Sequence, residues 1–347
     1  MKTFFLFIGL TLLQSAFAQM QPIGQWREHM DYRSGKRVAF AGNNVVTATE
    51  FGAYMVNRTD GEISRLSKVS GLSDVGVRTL NYSATDNKLL IAYKNSNIDI
   101  LYRSNVINIP DVMRSRVPGD KAIYNISFYN GKAYLSSGLG VIVIDLAKYE
   151  VSNTFIIGNS GGNVQVNAFA TDATRFYAAT EEGLKVASQS TVNLNDYRNW
   201  SILSGANGLP AGPVKQVFNI NNTIAVQYFN TIYVLNGTNW QAIYTDDWRW
   251  ESLNVSDGAL LLCEERFGWN ERRVRVINST GTVTSTVQNN SELRYPFHAV
   301  KSGAEIWIAD YEKGLVKAEA SVFERYNINS PYGALDGELF FLSLIHI

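Results

Sequence analysis

The chain has little of what most enzymatic and metal chemistry needs. One cysteine, Cys263, stands among 347 residues, and the three histidines, His29, His298 and His346, lie far apart. A single cysteine excludes an intramolecular disulfide and any cysteine-based zinc site. The histidines are too scattered for a His-rich metal centre. Charge is sparse too: 18% of residues are charged, and 31 basic side chains face 31 acidic ones. At zero formal net charge, no global field draws the chain to nucleic acid or an anionic membrane. There is no Gly-x-Ser-x-Gly elbow, no His-Glu-x-x-His pair and no EF-hand loop. Beyond the first residues, no apolar run approaches the roughly eighteen residues of a membrane helix.

What is present points to strands. Apolar residues make up 46% of the chain, as in an ordinary globular protein. Asn, Ser, Thr, Gly, Val and Ile are abundant, which favours strands and tight turns over helices. The first residues form an address. Lys2 precedes an apolar stretch from Phe4 to Leu13, and Ala16-Phe17-Ala18 fits a small-x-small cleavage site. Residues 1–18 are therefore expected to be a signal peptide, with Gln19 as the new terminus. No cysteine follows the site, which argues against a lipid anchor.

Helical periodicity gives way to a recurring hairpin. An apolar run, a turn and a second strand appear at Val45–Val56, Lys88–Leu101, Lys132–Asp145 and Arg175–Val186. Weaker copies follow at Thr223–Leu235, Ala259–Ile277 and Glu305–Ala318. The hinges near Gly52, Asn97, Gly140, Gly183, Asn230, Gly268 and Gly314 lie about 38 to 47 residues apart, a propeller spacing. Gly and Asn suit such hinges because they tolerate positive φ. Small residues before the hinge, as at Ala48-Thr49, Ser136-Ser137 and Ala179-Thr180, suit inner strands converging on a channel. Further strands such as Ile63–Leu66 and Val151–Ile157 close each unit. The expected fold is all-β: a seven-bladed β-propeller of four-stranded blades over residues 19–331. Two seven-stranded sandwiches would not explain one hairpin recurring at this interval. Ile23–Arg27 resembles blade-ending strands such as Tyr197–Ile202, and is expected to close the ring beside Val322–Asn327.

The hairpin Glu305–Asp310 with Gly314-Leu315 looks like the repeat of two-component-regulator propellers. More particular stretches are Ile23–Trp26 with Glu28-His29, Leu66–Asp74, Leu90–Asp99 and Gly119–Ile126. Together they resemble the N-terminal region of the PorZ family, surface components of the type IX secretion system of Bacteroidetes. The resemblance covers nearly the whole mature chain and is densest from Ile23 to Gly158. It implies a longer protein with a second propeller and a C-terminal module, of which residues 332–347 would be the truncated start. It also implies a non-enzymatic scaffold, exported to the cell surface or outer membrane. The implied partners are a sortase, an outer-membrane barrel protein and anionic lipopolysaccharide, with no cofactor. The alternative is the periplasmic sensor of a hybrid two-component regulator, whose gene would continue into a membrane helix and kinase. A propeller lyase or glycosidase ranks last, because it needs clustered acids or histidines that the sequence does not offer.

Individual candidates for chemistry are few. Cys263 lies in an apolar run and reads as a buried structural residue. His29 has no metal partner near it in sequence. The acidic turn Asn57–Glu62 lacks calcium-loop spacing and reads as a hairpin turn. Gly158–Gly162 is followed by neither Lys-Ser/Thr nor a helix, so it is not a phosphate cradle. No catalytic and no metal-binding residue is expected. The richest local chemistry is Asp246-Asp247-Trp248-Arg249-Trp250, where carboxylates and indoles could hold a sugar ring or a protein partner. Glu264–Trp269, read as the equivalent turn of the next blade, could extend it through Trp269. Its opposed charges, with Arg266, Arg272 and Arg273 nearby, favour a protein over a strongly anionic glycan. The competing reading is that these tryptophans pack between blades.

Overall fold

The computed structural model describes residues 30–266 and 268–328. They form seven antiparallel sheets of four strands, each built from consecutive strands of the chain. Blades 1 to 7 occupy residues 37–66, 77–109, 123–155, 166–202, 216–245, 249–287 and 296–326. This is the expected seven-bladed propeller. The hinges read from sequence all fall between the second and third strands of their blades or, at Gly140, Gly183 and Gly314, on the first residue of the third strand.

Burial explains why that hairpin was the visible repeat. Apolar side chains divide into seven clusters, one at each interface between neighbouring blades. A second strand is covered on both faces by adjacent blades, so it reads as a continuous apolar run. Lys88–Tyr93 is buried at every position, and Arg175–Thr180 at every position after the first. The fourth strands lie at the rim and show more exposed positions, as in Glu150–Phe155.

The innermost strand is the first of each blade, not a strand of the repeated hairpin. First strands pack beside one another around the ring, Arg37–Ala41 meeting Pro296–Ser302 where the chain closes on itself. The small residues before the hinges therefore do not line the channel. They end the second strands, fully buried, and their hydroxyls pin the hinge. Thr49, Ser137 and Thr180 each donate from Oγ to the carbonyl of the glycine three positions on. Gly140 cannot carry a side chain there: its φ is 135°, and a Cβ would lie 2.1 Å from the Phe155 carbonyl oxygen.

One other expectation changes. Tyr197–Ile202 is mostly a 3₁₀ turn, Tyr197–Asn199, followed by a two-residue strand, Ser201–Ile202. The sequence runs Asp196 into that turn as an N-cap, its carboxylate accepting the Arg198 N–H. The closing strand expected at Ile23–Arg27 lies outside the described residues, as do the expected signal peptide at residues 1–18, His29 and the tail after 328. Among the described residues, blade 7 is complete with its own strand Val322–Tyr326, and the ring closes by contact between blades 1 and 7. Gly35 N–H donates to the Asp310 carbonyl at 2.9 Å. A Cβ on Gly35 would stand 2.5 Å from the Gly314 oxygen, so only glycine allows this approach.

Candidate functional site

Strand direction sorts the loops onto two faces. The linkers between blades and the hinges between second and third strands share one face, and the remaining turns share the other. Asp246 to Trp248 form the linker from blade 5 to blade 6, and Arg249 and Trp250 begin the first strand of blade 6. Glu264–Arg266 end the second strand of that same blade, directly opposite: Trp250 pairs with Glu264 and Arg249 with Glu265. The two segments are thus one cluster on one blade, not equivalent turns of successive blades.

The third strand, Glu271–Ile277, completes the cluster. Its register puts Arg273 opposite Glu264 and Arg272 opposite Glu265. Asp246 is the hub: it accepts from the Trp250 indole at 2.7 Å, the Tyr244 hydroxyl at 2.7 Å and the Trp248 backbone N–H at 3.2 Å. Glu264 is buried and accepts from Arg273, with the Arg275 Nε 2.8 Å away. The Arg273 guanidinium lies 3.4 Å from the Trp248 ring centroid, and Arg272 lies 3.6 Å from that of Tyr295. Trp248 is 8% exposed, so it is held within the blade rather than offered to solvent. Trp250 is half-buried, and Asp247 and Arg249 are exposed, Arg249 forming ion pairs with Glu251 and Glu265. Trp269, 65% exposed at the hinge, is the indole that faces out, with Arg266 4.6 Å from its centroid.

Two carboxyls this close share their protons unequally. Burial, and then the hydrogen bond and charge of Asp246, raise the Glu264 pKa, with Arg275 opposing. Burial would raise Asp246 as well, but hydrogen bonds from Glu264, Trp250 and Tyr244 bring it below its usual range. Folded Glu264 therefore keeps a proton where the unfolded chain has lost one. The folded state then binds more protons than the unfolded, so this group's contribution to stability falls as pH rises from about 5 to about 9. Glu264→Gln mimics the protonated acid and is expected to flatten that fall, read as urea midpoints across the range.

Sequence reasoning missed a second feature of this face. Each of blades 5, 6, 7 and 1, four neighbours in the ring, carries an exposed aromatic at its hinge: Phe229, Trp269, Tyr311 and Phe51. Exposures are 63%, 65%, 41% and 51%. The corresponding hinges of blades 2 to 4 hold Asn95, Gly138 and Glu182 instead. Large exposed apolar side chains gathered on one rim make this face the candidate contact surface. The signal was legible: an aromatic within three residues of the hinge glycine or asparagine, in four of the repeats. Beside Tyr311, a cleft of about 550 Å³ is lined by Tyr295 and Phe297, by Arg249 and Arg272, and by the carboxylates of Glu251, Glu264, Glu265 and Glu312. Inside the arc opens the central channel.

Cys263 is buried, and burial raises its thiol to about 12, which leaves it unreactive. Asn57–Glu62 joins the third and fourth strands of blade 1 as a hairpin turn. Among the described residues, no group of three or more His, Cys, Asp or Glu could hold a metal ion, and no helix is long and apolar enough to cross a membrane.

Comparison with known proteins follows the fold. Residues 45–201 match the family described as the N-terminal β-propeller domain of PorZ of the type IX secretion system. None of the curated proteins compared with the chain matches it. Among solved structures, PorZ of Porphyromonas gingivalis, described as an essential surface component of the type IX secretion system, aligns with a TM-score of 0.73 at 23% identity. That alignment covers 89% of this chain and 40% of PorZ, so the chain spans well under half of that protein. The WD40 propeller of Doa1 aligns with a TM-score of 0.60 at 11% identity, covering 89% of this chain and 97% of that one. A designed protein, Ika8, aligns at 0.57 and 11%, covering 83% of this chain and 96% of that one. At such identities these likenesses establish the fold alone. They show a β-propeller of which residues 45–201 are similar to the N-terminal propeller of PorZ.

Proposed function

We propose that this propeller is a non-enzymatic binding scaffold of a type IX secretion attachment complex, exported and held at the cell surface. The observation that carries the reading is the match of residues 45–201 to the PorZ N-terminal propeller. The geometry adds a docking face. Functional contacts of such folds sit on loops over a rigid scaffold, and here the hinge aromatics of blades 5, 6, 7 and 1 form a continuous arc. Trp269 is its natural anchor, with Arg266 against its ring, and Arg249 and Asp247 are exposed on the same blade and its linker. Trp248, Trp250 and Asp246 belong to the same blade, where they order the linker that enters it. Balanced charge and paired arginines favour a protein partner, the sortase or the outer-membrane barrel protein, over anionic lipopolysaccharide.

A capture experiment tests both levels. Tagged chain is incubated with detergent extract of its source cells, and the sortase and barrel protein are quantified. The wild-type chain is expected to retain at least one of them. The triple variant Phe229→Ala, Trp269→Ala, Tyr311→Ala is expected to lose at least tenfold in affinity while keeping its urea midpoint, since all three side chains are exposed. Capture of neither protein by the wild type overturns the attachment-complex reading. Unchanged capture by the folded triple variant moves the docking face elsewhere.

A further inference from the structure

The mouth of the channel holds a positive charge that no carboxylate among the described residues pairs with. Arg37 begins the first strand of blade 1, and His298 lies on the first strand of blade 7, the next blade in the ring. Both line the central channel, a cavity of about 450 Å³, and the space of about 440 Å³ at its mouth. Among the described residues, the Arg37 guanidinium has neither a carboxylate partner nor a hydrogen-bond acceptor. The other charges at the mouth are already committed. Glu251 is paired with Arg249 at 2.7 Å and Lys215 with Glu181 at 3.3 Å.

The remaining lining supplies hydrogen-bond chemistry. His298 Nδ1 accepts from the Val38 N–H over a long 3.5 Å, which places the proton on Nε2 and makes the imidazole a donor. Burial and then the Arg37 charge lower the His298 pKa, so the ring is neutral. Burial and Arg78 likewise lower that of Arg37, as expected of a cation lacking a counter-charge. Three buried atoms at the mouth have no hydrogen-bond partner among the described residues: Gln216 Oε1, Ser252 Oγ and Asn254 Oδ1. Orphaned buried polar atoms carry a desolvation penalty that a ligand with matching groups relieves. A planar guanidinium beside an N–H donor suits a carboxylate, and the orphaned oxygens suit hydroxyl donors.

We propose that the channel mouth binds a small hydroxycarboxylate such as a sugar acid. Its carboxylate lies on Arg37 and His298 Nε2, and its hydroxyls lie on Gln216, Ser252 and Asn254. The size of the space fits a small ligand rather than a polymer. This site lies inside the aromatic arc, sharing Phe229 with it, and does not depend on any secretion-system partner.

The test titrates the full chain with glucuronate, glucose and inorganic phosphate by calorimetry, with the histidine ring signals followed by NMR. Glucuronate is expected to bind saturably, and glucose, which lacks the carboxylate, at least tenfold more weakly. Arg37→Gln is expected to lose at least tenfold in glucuronate affinity, and Arg37→Lys to recover part of it. In the wild-type chain, which needs no variant to fold, the His298 signals shift with glucuronate occupancy. No saturable binding of glucuronate overturns the proposal, as does binding that leaves His298 unmoved. Equal affinity for phosphate overturns the hydroxycarboxylate assignment.

Discussion

Asp310→Ala should cost about 3–5 kcal/mol of stability, because one buried carboxylate organises the hinge of blade 7 and the linker into it. Asp310 is fully buried at the end of the second strand. Its Oδ2 accepts the backbone N–H groups of Arg294 and Tyr295, each at 2.8 Å, and its Oδ1 those of Glu312 and Lys313, each at 2.9 Å. Alanine leaves these four donors without their acceptor in a place where water has little access. It also loosens the backbone segment that receives the Gly35 N–H at the ring closure. Asp310→Asn keeps one oxygen but turns an amide N–H₂ toward the other pair of donors, so it should fall between wild type and alanine. Urea midpoints at unchanged slope measure both. An alanine variant within about 1 kcal/mol of wild type would show that linker and hinge hold each other without the carboxylate.

The same position shows what could be read from the sequence. Thr49, Ser137, Thr180 and Asp310 all sit where a second strand meets its hinge, and each accepts or donates across the turn. Their recurrence, with glycine three or four residues on, made the blades countable, because a turn of fixed geometry demands particular residues. The first strands carry no such demand. They are half turned to a wet channel, so Asn81, Asn125, Asn219 and Asn254 interrupt their apolar pattern and resemble loop residues. That is why Arg37 and His298 were not placed together: they stand 261 positions apart, and only ring closure unites them. The tryptophan cluster was visible as composition, but not its internal order. Trp248 and Trp269 each lie near an arginine in sequence. Only the pairing of Arg273 with Glu264 shows that the first indole is covered and the second is not.

Ring closure itself rests on a few contacts, and Tyr54→Phe isolates one of them. Tyr54, on the third strand of blade 1, is fully buried and packs edge-on against Tyr32. Its hydroxyl donates to the Tyr326 carbonyl at 2.6 Å and accepts the Leu315 N–H at 2.9 Å. Both partners belong to blade 7, so a single oxygen bridges the first and last blades. Phenylalanine keeps the ring and its packing but leaves two backbone groups unpaired, an expected loss of about 2–3 kcal/mol. The control is Tyr177→Phe. That side chain is equally buried, but its hydroxyl donates to Asp172 within blade 4, at a turn reached by solvent. Its loss should be about 1 kcal/mol, because the freed carboxylate can turn to water. Both variants remove one oxygen and change no charge, so the difference between them reports the position in the ring. The closure variant should also speed hydrogen exchange at Leu315 and in the neighbouring strands of blades 1 and 7, leaving blade 4 unchanged. Equal losses for the two variants, with exchange unaltered at Leu315, would mean that the apolar cluster between blades 1 and 7 closes the ring without this bridge.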